Sequence, residues 1–158
     1  MDNTNKIGLD NEKAKHLADK LNELLANYSV FYQNTRGFHW NIKGEKFFEL
    51  HIKFEELYNT LVTKIDEVAE RILTLGYTPK HNYSDYKAIS SIKESVEVSD
   101  GITAMNNILG SLKTTITLQR AILNFASDAD DEGTAALMSD YISEQEKMVW
   151  MYSAFLDK

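Results

Sequence analysis

Apolar residues recur at alternating spacings of three and four along four separate stretches of this 158-residue chain, and that rhythm commits the backbone to long helices. The first stretch carries Leu17, Leu21, Leu24, Tyr28, Phe31 and Phe38; the second carries Phe47, Leu50, Phe54, Leu57, Leu61, Ile65, Val68, Ile72 and Leu75. The third runs Ile102, Met105, Leu109, Leu112, Ile116 and Leu123, and the fourth Met138, Tyr141, Met148, Tyr152 and Phe155. One Pro and 7 Gly are too little punctuation for many short strands, so the four stripes predict an all-α four-helix bundle. The length and the 43% hydrophobic content suit a single domain over residues 1–158 with a core of its own.

Capping residues set the boundaries. Asp10 or Asn11 opens the first helix and Gly44 follows its end, while Gly76 and then Pro79 close the second in the order expected of a C-terminus. Ser99 or Asp100 caps the third helix, and Asp130 or Asp131 the fourth. Between the second and third helices lie about 23 residues, enough to cross the length of the bundle, and Ser84-Asp85-Tyr86 starts a short extra helix within them.

The 17 Lys and Arg against 24 Asp and Glu give a net charge of −7, the wrong sign for a duplex-binding surface. The absence of Cys excludes disulfide frameworks, thiolate nucleophiles and zinc ribbons, and fits a reducing compartment. MDNTNKIGLD has neither a basic nor an apolar leader region, and no apolar run approaches the roughly 20 residues that cross a bilayer. The expectation is a cytoplasmic protein with no membrane partner.

The second helix has two faces besides its solvated one. At about 100° per residue from His51, the apolar stripe occupies roughly 240° to 320°, and Glu45, Glu49, Lys53, Glu56, Lys64, Glu67 and Arg71 fall on the opposite side. The remaining arc mixes Phe48, Val62, Ala69 and Leu73 with His51, Glu55, Asp66 and Glu70. Charged groups on a semi-apolar face need a partner, because an unpaired carboxylate removed from water is costly. His51 with Glu55, and Asp66 with Glu70, are i, i+4 pairs of a ligand type that suits iron, manganese or zinc.

Those pairs lie about 22 Å apart along the helix, so one ion does not bridge them within one chain. Either they are independent half-sites, or a second copy packs antiparallel about a twofold axis near Tyr58 and Asn59. The dimer is more economical: it sets His51 and Glu55 of one chain opposite Asp66 and Glu70 of the other and covers the apolar residues between them. His39, in the string Phe38-His39-Trp40-Asn41, can reach the same place from the end of the first helix. The competing reading is a non-enzymatic helical assembly protein in which these groups form only interchain salt bridges.

Taken together, His39-Trp40-Asn41, Gly44, Phe47, His51, Glu55, Asp66 and Ala69-Glu70-Arg71 resemble the ferroxidase signature of the Dps family, the mini-ferritins, and the likeness runs on to Trp150. The resemblance implies a ferritin-like bundle assembled as a hollow dodecamer of twofold dimers, an oxidoreductase with non-haem iron sites shared between subunits. It implies His39, His51, Asp66 and Glu70 as iron ligands, Trp40 as an electron donor beside them, hydrogen peroxide or oxygen as oxidant, and a stored ferric mineral that protects against oxidative stress. Glu55 stands where the family commonly has Asp, and its longer side chain alters its reach to the metal. Many DNA-binding members carry a Lys-rich tail, whereas only Lys6 precedes the first helix here, so little direct DNA binding is expected; a DNA-compacting cage is the alternative.

Ordinary ferritins bind iron inside one bundle with carboxylates from all four helices. Between Gly101 and Ser127 this chain has no Asp, Glu or His, which rules out such a centre. The acidic run Asp128, Asp130, Asp131 and Glu132, with Asp140, is a candidate lining for a threefold pore that concentrates cations.

Overall fold

The computed structural model describes residues 2–157, which form α1 (Asn11–Asn41), α2 (Phe47–Thr74), the short α3 (Tyr83–Ile89), α4 (Gly101–Asp128) and α5 (Glu132–Phe155). Asp10, Asp100 and Asp131 are the N-caps of α1, α4 and α5, each accepting a backbone N–H three residues on, and Asn82 does the same for α3. Gly76, at φ 97°, ends α2, and Tyr77 N–H turns back to the carbonyl of Ile72 at 3.1 Å. The expected caps and the extra helix are therefore present.

α1 and α2 pair through a tight connection, as do α4 and α5, and α1 also packs on α4. Lys43 N–H donates to Ser99 carbonyl at 3.0 Å, so α4 begins beside the α1–α2 turn. The segment leaving α2 therefore runs back along the whole bundle. Gly101 makes room at the arrival point, where a Cβ would meet Leu50 Cδ1 at 2.6 Å and push that side chain aside.

Three asparagines of α1 strap this crossover down. Asn22 accepts from Lys80 N–H at 2.7 Å, and Asn34 accepts from Ser95 N–H at 2.9 Å while donating to Lys93 carbonyl. Between them Asn27, fully buried, accepts from the N–H groups of Ser91 and Ile92 at 3.1 and 3.0 Å. A connection this long has few apolar residues of its own, so side-chain amides satisfy its backbone.

The core follows the four stripes with two exceptions. Ile102 and Phe155 are exposed, because they lie at the open end of the bundle and border a cavity of about 610 Å³. The side of α2 expected to be solvated instead meets α5 through long polar side chains. Lys64, 5% exposed, pairs with Glu144 at 2.7 Å; Tyr141 donates to Glu67 at 2.8 Å; Arg71 pairs with Asp131 at 2.6 Å. Asp131 is thus committed to capping α5 and holding Arg71, which leaves Asp128, Asp130, Glu132 and Asp140 as the exposed acids of the run.

Asn27→Ala strands the buried Ile92 N–H and the part-buried Ser91 N–H, so urea unfolding should show a loss of about 2 kcal/mol with helix content retained. Burial pushes the Tyr152 hydroxyl up to about 12, with Glu56 adding to the effect. The folded protein therefore holds a neutral phenol that the unfolded chain ionises from about pH 10. Its stabilisation is complete below that pH and fades as pH rises toward about 12, so Tyr152→Phe should match wild type near neutrality and lose stability less steeply above about pH 10.

Candidate metal centre

The last turn of a helix leaves carbonyl oxygens without partners, and α1 solves this with an imidazole. Lys43, whose N–H would complete the turn at His39, is turned away onto Ser99. His51 Nδ1 takes its place, 2.7 Å from the carbonyl oxygen of His39, and His39 Nδ1 lies 2.5 Å from the carbonyl oxygen of His51. The two rings stack between those bonds with centroids 3.8 Å apart and planes 13° from parallel.

A carbonyl only accepts, so both Nδ1 atoms carry their hydrogen and donate. In the neutral rings this fixes the lone pair on Nε2, the tautomer that binds a metal, by the same device that backbone carbonyls supply in metal sites. Glu55 Oε1 stands 3.7 Å from His39 Nε2. His39, His51 and Glu55 are thus brought together by one helix junction.

Neighbouring aromatics brace the pair. Phe47, one turn before His51 on α2, lies nearly parallel to it at 5.0 Å, and Tyr58 meets His39 edge-on at 5.4 Å. Phe47 belongs to the string that carries the family resemblance, whereas the sequence marks Tyr58 only as lying near the twofold axis, and its i, i+7 spacing from His51 is the signal for its place in the site. Trp40, adjacent to His39 in sequence, is 56% exposed and carries the Arg36 guanidinium over its ring at 4.8 Å. It lies about 100° around α1 from His39 and so occupies a different face.

Asp66 and Glu70 are not joined to the histidines within one chain. Both are exposed farther along α2, and among the described residues neither carboxylate has an ion-pair or hydrogen-bond partner. Among those residues no three His, Asp or Glu side chains of one chain converge as metal ligands. On the same arc Phe48, Val62 and Leu73 are exposed, at 76%, 42% and 58%. The α2 arc therefore carries His51, free carboxylates and bare apolar side chains, and the end of α1 adds the buried His39 beside it.

Among the described residues the bundle interior holds neutral polar groups and no cluster of metal ligands. Tyr28 donates to Gln119 and accepts from Gln145 Nε2 at 2.6 Å, while Gln145 Oε1 accepts from Thr115 at 2.7 Å and from Gln119 Nε2 at 3.0 Å. These neutral groups satisfy one another, and burial raises the Tyr28 hydroxyl far above its ordinary range, which keeps it protonated.

The ferritin-like domain family matches residues 18–158. A DNA protection during starvation protein of Porphyromonas gingivalis is 42% identical over 151 residues, covering 96% of this chain and 95% of its own. The crystal structure of a Dps protein from Vibrio cholerae O1, described as a member of a broad superfamily of ferritin-like diiron-carboxylate proteins, aligns with a TM-score of 0.96 and 55% identity over 98% of this chain and 97% of that one. A Dps protein from Bacillus brevis aligns with a TM-score of 0.89 and 34% identity over 92% of this chain and 97% of that one.

The paired carbonyl contacts make a direct prediction for nitrogen NMR. Neutral His39 and His51 should both show the Nδ1–H form rather than the Nε2–H form usual in solution. Nε2–H in either ring would contradict the geometry.

Proposed function

Because this chain belongs to the ferritin-like family, on its Dps branch, we propose that it binds Fe(II), oxidises it and stores the ferric product. The observation that carries the reading is the carbonyl lock on His39 and His51, which leaves two Nε2 lone pairs beside Glu55 at the rim of an exposed, partly apolar helix face. A second copy packed antiparallel on that face brings its Asp66 and Glu70 to these nitrogens and covers Phe48, Val62 and Leu73. The unpaired state of both carboxylates and the exposure of those three side chains support this arrangement. Two such sites form per dimer, and dimers assemble into the hollow dodecamer that holds the mineral.

Iron is the substrate. Imidazole and carboxylate suit Fe(II), and the carboxylates favour the harder Fe(III), which assists oxidation. Hydrogen peroxide accepts two electrons, one from each of two ferrous ions, and its O–O bond breaks without release of a hydroxyl radical; oxygen is the slower alternative. Glu55, already close to His39 Nε2, either joins the ligand set or takes up the charge of the incoming ion. The exposed Asp128, Asp130, Glu132 and Asp140 attract cations toward the shell. DNA is protected by removal of iron and peroxide rather than by binding, since the net charge of −7 repels phosphates. The cytoplasm is the proposed compartment; no helix among the described residues is long and apolar enough to cross a membrane.

A salt-bridge interface without chemistry would use the same residues, and complementation separates the two. His51→Ala and Asp66→Ala should each slow peroxide-driven oxidation of anaerobically added Fe(II) by about tenfold or more. Unfolding and reassembling the two variants together should restore activity in about a quarter of the sites, because one site of each mixed dimer regains both wild-type halves. A site built within one chain gives no restoration, and a salt-bridge interface gives no loss in either variant.

A further inference from the structure

Ser111, in the middle of α4, is 5% exposed, yet among the described residues its hydroxyl makes no hydrogen bond. The threonines of the same helix are all engaged: Thr103 with Asp100, Thr114 with the carbonyl of Gly110, Thr115 with Gln145 and Thr117 with the carbonyl of Lys113. Among the described residues no fully enclosed side-chain oxygen or nitrogen lacks a partner, so Ser111 Oγ keeps a window to solvent. That window is a groove of about 310 Å³ between α4 and the crossover segment, which Ser111 lines.

Gly110 lines the same groove, and nothing in the packing of the chain asks for it. A glycine inside a helix is destabilising, and a Cβ at this position would meet no atom within 4 Å. The absent side chain leaves the groove open and its helix backbone bare. The opposite wall is held in place by Asn34, which accepts from Ser95 N–H and donates to Lys93 carbonyl, both at 2.9 Å. Asn107 Nδ2 donates to Ser95 Oγ at 3.0 Å from helix to crossover, which leaves Asn107 Oδ1 and the Ser95 hydroxyl hydrogen free.

Charge selects the ligand. Lys93 and Glu94 are the charged residues of the lining, they cancel formally, and Glu94 is held by Lys87 at 3.5 Å. An anion calls for a surplus of cations and a metal ion for a surplus of carboxylates. Hydroxyls and amides that both donate and accept, beside the apolar surface of Ile92, match the O–H groups and C–H face of a sugar.

We propose that this groove binds a neutral sugar of one or two rings, with Ser111 Oγ and Asn107 Oδ1 bonded to its hydroxyls and its C–H face over Ile92 and Gly110. The volume stands at the small end of the roughly 300–1,000 Å³ of ligand pockets. No residue of α2 and neither His39 nor His51 takes part, so this site and the iron reading stand or fall separately.

The test is saturation-transfer difference NMR on the full assembled protein, with glucose, N-acetylglucosamine and trehalose as separate millimolar probes. At least one should receive saturation at its ring protons, and Ser111→Ala should raise its dissociation constant about fivefold. Gly110→Leu should abolish the signal while melting no lower than wild type, because Leu is the better helix former; a glycine kept only for folding would not give that pair of results. Asn124→Ala, exposed on the same helix outside the groove, should leave binding unchanged. Absence of transfer to all three sugars, or equal transfer in wild type and Gly110→Leu, would overturn the proposal. Displacement of the sugar by inorganic phosphate would assign the groove to an anion and overturn it as well.

Discussion

α1 is enclosed along most of its length, and every polar group it carries has to be satisfied by whatever packs on it. That requirement organises the molecule. Along its length Asn22, Asn27 and Asn34 hold the crossover segment; among them Tyr28 closes a neutral network with Gln119 and Gln145; at its end the carbonyl of His39 is met by His51. The metal-ready tautomer of the histidines is therefore a by-product of finishing a helix. No separate loop is needed to orient them, and the site inherits the rigidity of the α1–α2 junction.

α2 is a helix with three environments. Its apolar stripe enters the core, its charged side reaches across to α5 through Lys64, Glu67 and Arg71, and its third arc stays bare. The first two explain how one chain folds. The third exposes Phe48, Val62 and Leu73 beside Asp66 and Glu70, which have no partner among the described residues. If the proposed chemistry sits there, with the interior filled by satisfied neutral groups, iron oxidation would depend on assembly, because a single chain would present only half of the donors.

The site was partly legible in the sequence, and the reason is periodicity. His51, Glu55, Asp66 and Glu70 fall on one arc by the arithmetic of 3.6 residues per turn, and their distance along the helix already demanded two half-sites. His39 lies on a different helix, and the twelve residues separating it from His51 include a turn, so its stacking on His51 needed coordinates. A helical wheel puts Lys64 and Arg71 toward solvent because it records angle but not the length of a side chain or what lies opposite it. Ile102 and Phe155 kept the apolar rhythm past the point where the neighbouring helices end.

Local rules in the sequence determined the four long helices, their aspartate caps, the short helix in the crossover and the carboxylate arc of α2, since each depends on residues within a few turns of one another. The tertiary structure alone decided that two backbone carbonyls would hold two imidazoles, that Asn27 would pin a segment more than sixty residues away, and that Tyr58 rather than Trp40 would face His39. Contacts between elements depend on where each helix ends and how it is rolled against its neighbour, and a repeating pattern along one helix carries neither quantity.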